Sequence, residues 1–209
     1  MSHIALLGDS IFDNAAYVSG GPDVVRQVRE LLPDGWRASL IARDGAVMRD
    51  IPEQVQRLPA DASHVVVSVG GNDALGEMAV LDQQARSVAE ALELLTVVRE
   101  RFRSAYARML DELLRPRLPV AVCTIYEARF PEPALRRLAA TGLTAINDAI
   151  TREAFARAID LIDLRVLCSE DLDFANPIEP SVHGGAKIAR AIVSFAMADA
   201  GPRSRVMAR

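Results

Sequence analysis

Ile4-Ala5-Leu6-Leu7-Gly8-Asp9-Ser10-Ile11 opens the chain with an apolar run that ends on glycine, aspartate and serine. Four apolar residues in succession suit a strand buried on both faces, and a serine just beyond it sits at a strand-to-helix turn. In open α/β sheets ligands gather outside the carboxyl ends of the strands, so a hydroxyl there is a candidate nucleophile. The N-terminus of the helix that follows would stabilise negative charge near the serine oxygen. Two further stretches repeat the arrangement: Arg43-Asp44-Gly45-Ala46 follows a second apolar run, and Gly70-Gly71-Asn72-Asp73 follows a third.

Ser10, Gly45 and Asn72, in that order, resemble three of the four blocks of the SGNH hydrolase superfamily, also called the GDSL esterases and lipases. The resemblance spans almost the whole chain. It implies that Ser10 attacks an acyl or acetyl ester through an acyl-enzyme. It also implies that the Ser10 amide, the Gly45 amide and the Asn72 side chain form the oxyanion hole.

The fourth block departs from the family's Asp-x-x-His. The corresponding stretch runs Asn176-Pro177-Ile178-Glu179-Pro180-Ser181-Val182-His183-Gly184-Gly185. With the start of the last helix held fixed, the family's aspartate falls on Asn176 and its histidine on Glu179, while His183 lies one helical turn later. Three readings stay open. His183 is the base of a Ser10-His183 dyad oriented by Glu179, since imidazole titrates near neutrality. Alternatively Glu179 is itself the base, which requires burial to raise its carboxyl pKa. In the third, the oxyanion pocket survives in a weakly active or noncatalytic protein that binds a small acid or sugar acid.

Asn14 and Tyr126 are the candidate substrate contacts, Asn14 one turn after Ser10 and Tyr126 in the loop after the fourth apolar run, with Glu127, Arg129 and Phe130 beside it. Asp9 and Asp44 are expected to shape the loops around Ser10 and Gly45, and Asp73 to cap a helix. His3 and His64 each open an apolar run and are expected at an edge or in solvent. Cys123 and Cys168 lie in or beside buried runs and are expected as free thiols. The histidines are scattered with no ligand spacing, so no metal is expected, and no cofactor is implied.

The apolar runs predict parallel strands at about 3–8, 37–42, 64–69, 119–125 and 159–164, alternating with helices at about 21–32, 50–58, 79–115, 133–157 and 184–200. The expected fold is α/β, a three-layer doubly wound parallel sheet of five strands. The resemblance implies the flavodoxin-like order 2-1-3-4-5. Residues 1–201 form one domain and 202–209 a frayed basic tail. The helix at 79–115 is long enough to predict a kink near 96–98, and residues 79–95 are a candidate lid or homodimer surface. Arg99, Arg101, Arg103 and Arg108 predict a solvated helix face.

The 209 residues carry 24 basic and 28 acidic side chains, a net charge of −4, which favours neither nucleic acid nor an anionic membrane. The expected partner is a small-molecule ester, with no integral membrane segment. The first strand begins too early for a secretory signal, so the expected location is cytoplasmic.

Overall fold

A computed structural model describes residues 2–198 and 205–207. Its centre is a parallel sheet of β1 (Ser2–Gly8), β2 (Trp36–Leu40), β3 (His64–Ser68), β4 (Val120–Cys123), β5 (Asp160–Ile162) and β6 (Val206–Met207), in the order β2-β1-β3-β4-β5-β6. The helices are α1 (Val24–Leu31), α2 (Ile51–Gln56), α3 (Gly71–Gly76), α4 (Val88–Leu113), α5 (Pro133–Ala156), α6 (Leu164–Leu167) and α7 (Val182–Met197).

Side-chain alternation along the strands assigns the two faces. Ala5, Leu7, Val65, Val67 and Val122 point towards α2, α4 and α5, where Phe102, Tyr106, Leu110 and Ile150 close one core. Ile4, Leu6, Val66, Ala121 and Ile162 point the other way, onto α1 and α7 through Val24, Val28, Ile188 and Ile192. The sheet is thus covered by helices on both sides, as the apolar runs required. Among the described residues no helix is long and apolar enough to cross a membrane.

The chain leaves β1 for β2 on one side and returns to β3 on the other, so the carboxyl ends of β1 and β3 flank the point where the winding reverses. Such a reversal leaves a crevice. Its floor is fixed by Gly8, paired with Ser68 at φ +121°, where an added Cβ would fall 1.7 Å from the Ser68 carbonyl oxygen. Gln54 of α2 clamps the same glycine, accepting its amide at 2.7 Å and donating to its carbonyl at 2.9 Å. Nothing but glycine fits there.

Several expectations are corrected by the structure. The sheet has six strands, not five: within the expected tail, residues 205–207 pair with β5, the Leu161 amide donating to Arg205 at 2.7 Å and the Asp163 amide to Met207 at 2.9 Å. The Arg205 guanidinium binds Asp160 at 2.6 Å. Residues 202–204 and 208–209 lie outside the described residues.

The long fourth helix runs unbroken through 96–98. The chain breaks earlier, at 83–87, where Ser87 accepts the Glu90 amide at 3.1 Å and starts α4 afresh. Its arginines are not simply solvated. Arg99 reaches Asp148 at 2.9 Å and Arg103 reaches Glu153 at 2.7 Å, tying α4 to α5. His3 is buried, its ring nitrogens bonded to Asp61 and Ser39 at 3.1 and 2.7 Å. His64 is half-buried between the Trp36 and Phe195 rings. Cys123 and Cys168 are buried free thiols.

Candidate active site

No long helix follows Ser10. The chain makes one turn, with the Phe12 and Asp13 amides both donating to the Asp9 carbonyl, and α1 starts only at Val24, so the expected helix-terminus field behind the serine is missing. The Asp9 side chain stays within this turn and accepts the Ile11 amide at 3.1 Å. Burial pushes the Asp9 carboxyl up to about 8, so it is a neutral acid at pH 7.

Glu179 is the group that meets Ser10. The Ser10 hydroxyl donates to Glu179 Oε1 at 2.9 Å, with both residues buried. Burial is the main cause that pushes the Glu179 carboxyl up to about 7, opposed by the Ser10 hydrogen bond. Its second oxygen has no hydrogen-bond partner among the described residues. An unsolvated oxygen of this kind disfavours the charged form and makes the group a better proton acceptor.

The backbone carrying Glu179 is fastened from several sides. Asn176 Oδ1 accepts the Ile178 and Glu179 amides at 2.9 Å each, the Ala175 amide donates to the Glu179 carbonyl, and Phe174 bridges to Pro180. Asn176, at the position of the family's aspartate, therefore builds the loop.

Asn14 and Tyr126 act on the same loop. The buried Asn14 amide donates to the Pro180 carbonyl at 3.1 Å and its oxygen accepts the Val24 amide at 3.0 Å. With both ends committed to backbone, Asn14 is a fastening and not the substrate contact expected of it. The Tyr126 hydroxyl donates to the Ile178 carbonyl at 2.7 Å, so only its ring is left to line the cleft. Phe130 also lines it. Arg129 turns away to the Phe174 ring and to Asp171.

His183 is not brought to Ser10. It lies half-exposed in the first turn of α7, where Ser181 accepts its amide, and its Nε2 faces Asp173 Oδ1 at 3.7 Å and Glu170 Oε2 at 4.0 Å. The first reading of the fourth block, with His183 as base, lacks this contact. Glu170, Asp173 and His183 do converge, which their sequence spacing concealed. Lys187 Nζ already sits 2.8 Å from Asp173 Oδ1 and supplies the countercharge.

Of the expected oxyanion donors, Asn72 lines the cleft with Ser10, and its Nδ2 donates to the Ala46 carbonyl at 2.9 Å, leaving its second hydrogen uncommitted. Gly45, at φ +76°, borders a separate recess with Asp50 and Glu53 and does not line the cleft. The Ser10 and Gly45 amides have no acceptor among the described residues. Asp44 takes the Tyr17 hydroxyl at 2.7 Å, shaping its loop as expected. Asp73 accepts the Met48 amide at 3.1 Å, so it starts a turn of another segment and does not cap its own helix.

The sequence did not point to Gln54, whose clamp on Gly8 depends on contact between residues far apart in the chain. Nor did it reveal the cleft itself. From Ser10 an open trough runs between α3, Leu95 and Val98 of α4 and residues 138–146 of α5.

Residues 6–191 match the GDSL-like lipase/acylhydrolase family, and the chain belongs to that family. Among solved structures it resembles an extracellular lipase from Streptomyces rimosus (TM-score 0.68, 17% identity, covering 94% of this chain and 100% of that one). A phospholipase A1 from Streptomyces albidoflavus gives 0.65 and 16%, covering 94% and 99% of the two chains. A carbohydrate acetylesterase from Sinorhizobium meliloti gives 0.66 and 11%, covering 94% and 98%. At these identities the likeness is one of fold. No curated protein matches the sequence significantly.

Proposed function

We propose that the protein is a serine-dependent acyl-ester hydrolase in which Glu179 replaces histidine as the base. The observation that carries this reading is the 2.9 Å hydrogen bond from the Ser10 hydroxyl to a buried carboxylate. As Ser10 Oγ bonds to the ester carbonyl carbon, its proton passes to Glu179. The oxyanion is met by the Ser10 amide and the free Asn72 hydrogen, while Gly45, which borders a separate recess, is not assigned as a donor. Glu179, now a neutral acid, returns the proton to the departing alkoxide as the carbon-oxygen bond breaks. Water then repeats the sequence on the acyl-enzyme, with Glu179 again taking the proton.

Burial assists this cycle, because a carboxylate that accepts a proton in an apolar site loses an unfavourable charge. Each proton transfer of this kind contributes about 10²–10⁴ in rate. The same carboxylate disfavours the noncatalytic alternative, since an acid seated beside Ser10 would meet a second negative charge. The test is hydrolysis of p-nitrophenyl butyrate under pre-steady-state conditions. A burst of nitrophenol that disappears in Ser10→Ala supports the acyl-enzyme, and turnover that survives in Ser10→Ala removes it.

A further inference from the structure

The walls of the trough divide by chemistry. Its polar end lies against the sheet, where Ser10, Asn72 and Glu179 gather, and the outlying polar groups are already engaged, Thr124 with Asp163 at 2.9 Å and Glu77 with Arg101 at 3.2 Å. Away from the sheet the walls are apolar, with Leu75, Val80, Leu95, Phe130, Leu143 and Ile146. A sugar hydroxyl placed along this stretch would find no partner, which a site selective for carbohydrate esters cannot sustain. A hydrocarbon chain would bury itself.

The wall contributed by α5 holds a second, independent sign. Leu138, Ala139, Gly142, Leu143, Ala145 and Ile146 recur at helical spacing and form one face of α5 towards the trough. Leu138 is still 52% exposed, so the described residues cover this end of the face only in part. In its middle stands Gly142, although glycine is the poorest helix former short of proline. Its backbone is ordinary helix, and an added Cβ would meet no atom within 4 Å. Neither strain nor packing accounts for the glycine. What the missing side chain leaves is room in the trough.

We propose that this trough is an acyl-chain site, that the substrate is an ester of a medium or long fatty acyl group and not an acetyl ester, and that Gly142 sets the length of chain admitted. The proposal rests on the hydrolase reading above for its chemistry and on the trough for its specificity. The acyl carbonyl lies at Ser10, the chain runs towards α5, and the alcohol leaves through the mouth.

The experiment compares kcat/KM for p-nitrophenyl acetate, butyrate, octanoate and dodecanoate in the wild-type protein and in Gly142→Leu, a substitution that favours the helix and so keeps the fold. Wild-type kcat/KM is expected to rise about fourfold per methylene until the trough is filled. In Gly142→Leu the ratio of octanoate to acetate is expected to fall about tenfold or more. Acetate as the best substrate, or an unchanged ratio in Gly142→Leu, overturns the proposal and leaves the hydrolase reading intact. Calorimetry of 1-dodecanol, a neutral chain of the same length, binding to the Ser10→Ala protein separates the two claims. If no ester is cleaved, dodecanol binding that Gly142→Leu weakens supports the trough alone, and no binding removes it.

Discussion

Glu179 and Ser10, 169 residues apart in sequence, meet through a single 2.9 Å hydrogen bond in the crevice between the carboxyl ends of β1 and β3. Every part of the proposed chemistry depends on that contact. Removing the acceptor should therefore be the most damaging change in the fourth block. Glu179→Gln keeps the shape and loses the base, and its kcat is expected to fall about 10²–10⁴-fold with little change in KM. A loss of less than about tenfold, measured on any ester the wild type cleaves, would contradict the assignment. Asn176→Asp combined with Glu179→His restores the family's residue types and should recover part of the lost rate.

The acid and base states of the site set two pH dependences. With its carboxyl pushed up to about 7, Glu179 becomes competent as a base only as pH rises through neutrality, so kcat/KM should climb with pH and level off above about 8. Stability moves the opposite way. Asp9 and Glu179 are raised from 3.8 to about 8 and from 4.5 to about 7, so the folded protein holds protons that the unfolded chain releases. Their contribution is complete below about pH 4 and is lost as pH rises to about 8. Asp9→Asn and Glu179→Gln should melt near the wild type at pH 4 and above it at pH 8. A pH-independent difference would show that neither group titrates as described.

Asn72 makes a narrower prediction. Asn72→Ala removes one oxyanion donor and should lower kcat about 10²–10³-fold while substrate binding changes little. The Ala46 carbonyl also loses its partner, so a modest fall in melting temperature should accompany the kinetic effect. If kcat is unaffected, Asn72 serves the loop and not the reaction.

Gly8 carries the backbone demand of the site. Gly8→Ala drives a methyl group into the Ser68 carbonyl and is expected to cost about 4 kcal/mol or more in urea unfolding. Gln54→Ala leaves the buried Gly8 amide and carbonyl without their side-chain partner, at about 2–4 kcal/mol. Measured losses within experimental error of zero would show that this crossing relaxes without strain.

What could be read from the sequence follows the range of the interactions. β1 carries the apolar run at 4–7 ahead of Gly8 and β3 the run at 65–67 shortly before Gly70, and they announced both the parallel sheet and the positions of Ser10 and Asn72. β6 is two residues long and depends on the Arg205 pairing with Asp160, which no local pattern encodes. The start of α4 was legible, since Ser87 and Glu90 form a Ser-x-x-Glu signature, but the continuous helical spacing on either side obscured it. In the site, the fourth block offered Glu179 at the expected position of the base and His183 one helical turn later. The choice rests on the loop fastened by Asn14, Tyr126 and Asn176, all of them contacts to backbone that residue types alone do not reveal.

The most direct test of the account is covalent labelling of Ser10 by a fluorophosphonate, followed by intact mass on the wild type, Glu179→Gln, His183→Ala and a Ser10→Ala blank. The account predicts rapid single labelling of the wild type and of His183→Ala, labelling slowed by at least about 10²-fold in Glu179→Gln, and none in the blank. Labelling that survives in Glu179→Gln but is lost in His183→Ala would contradict it.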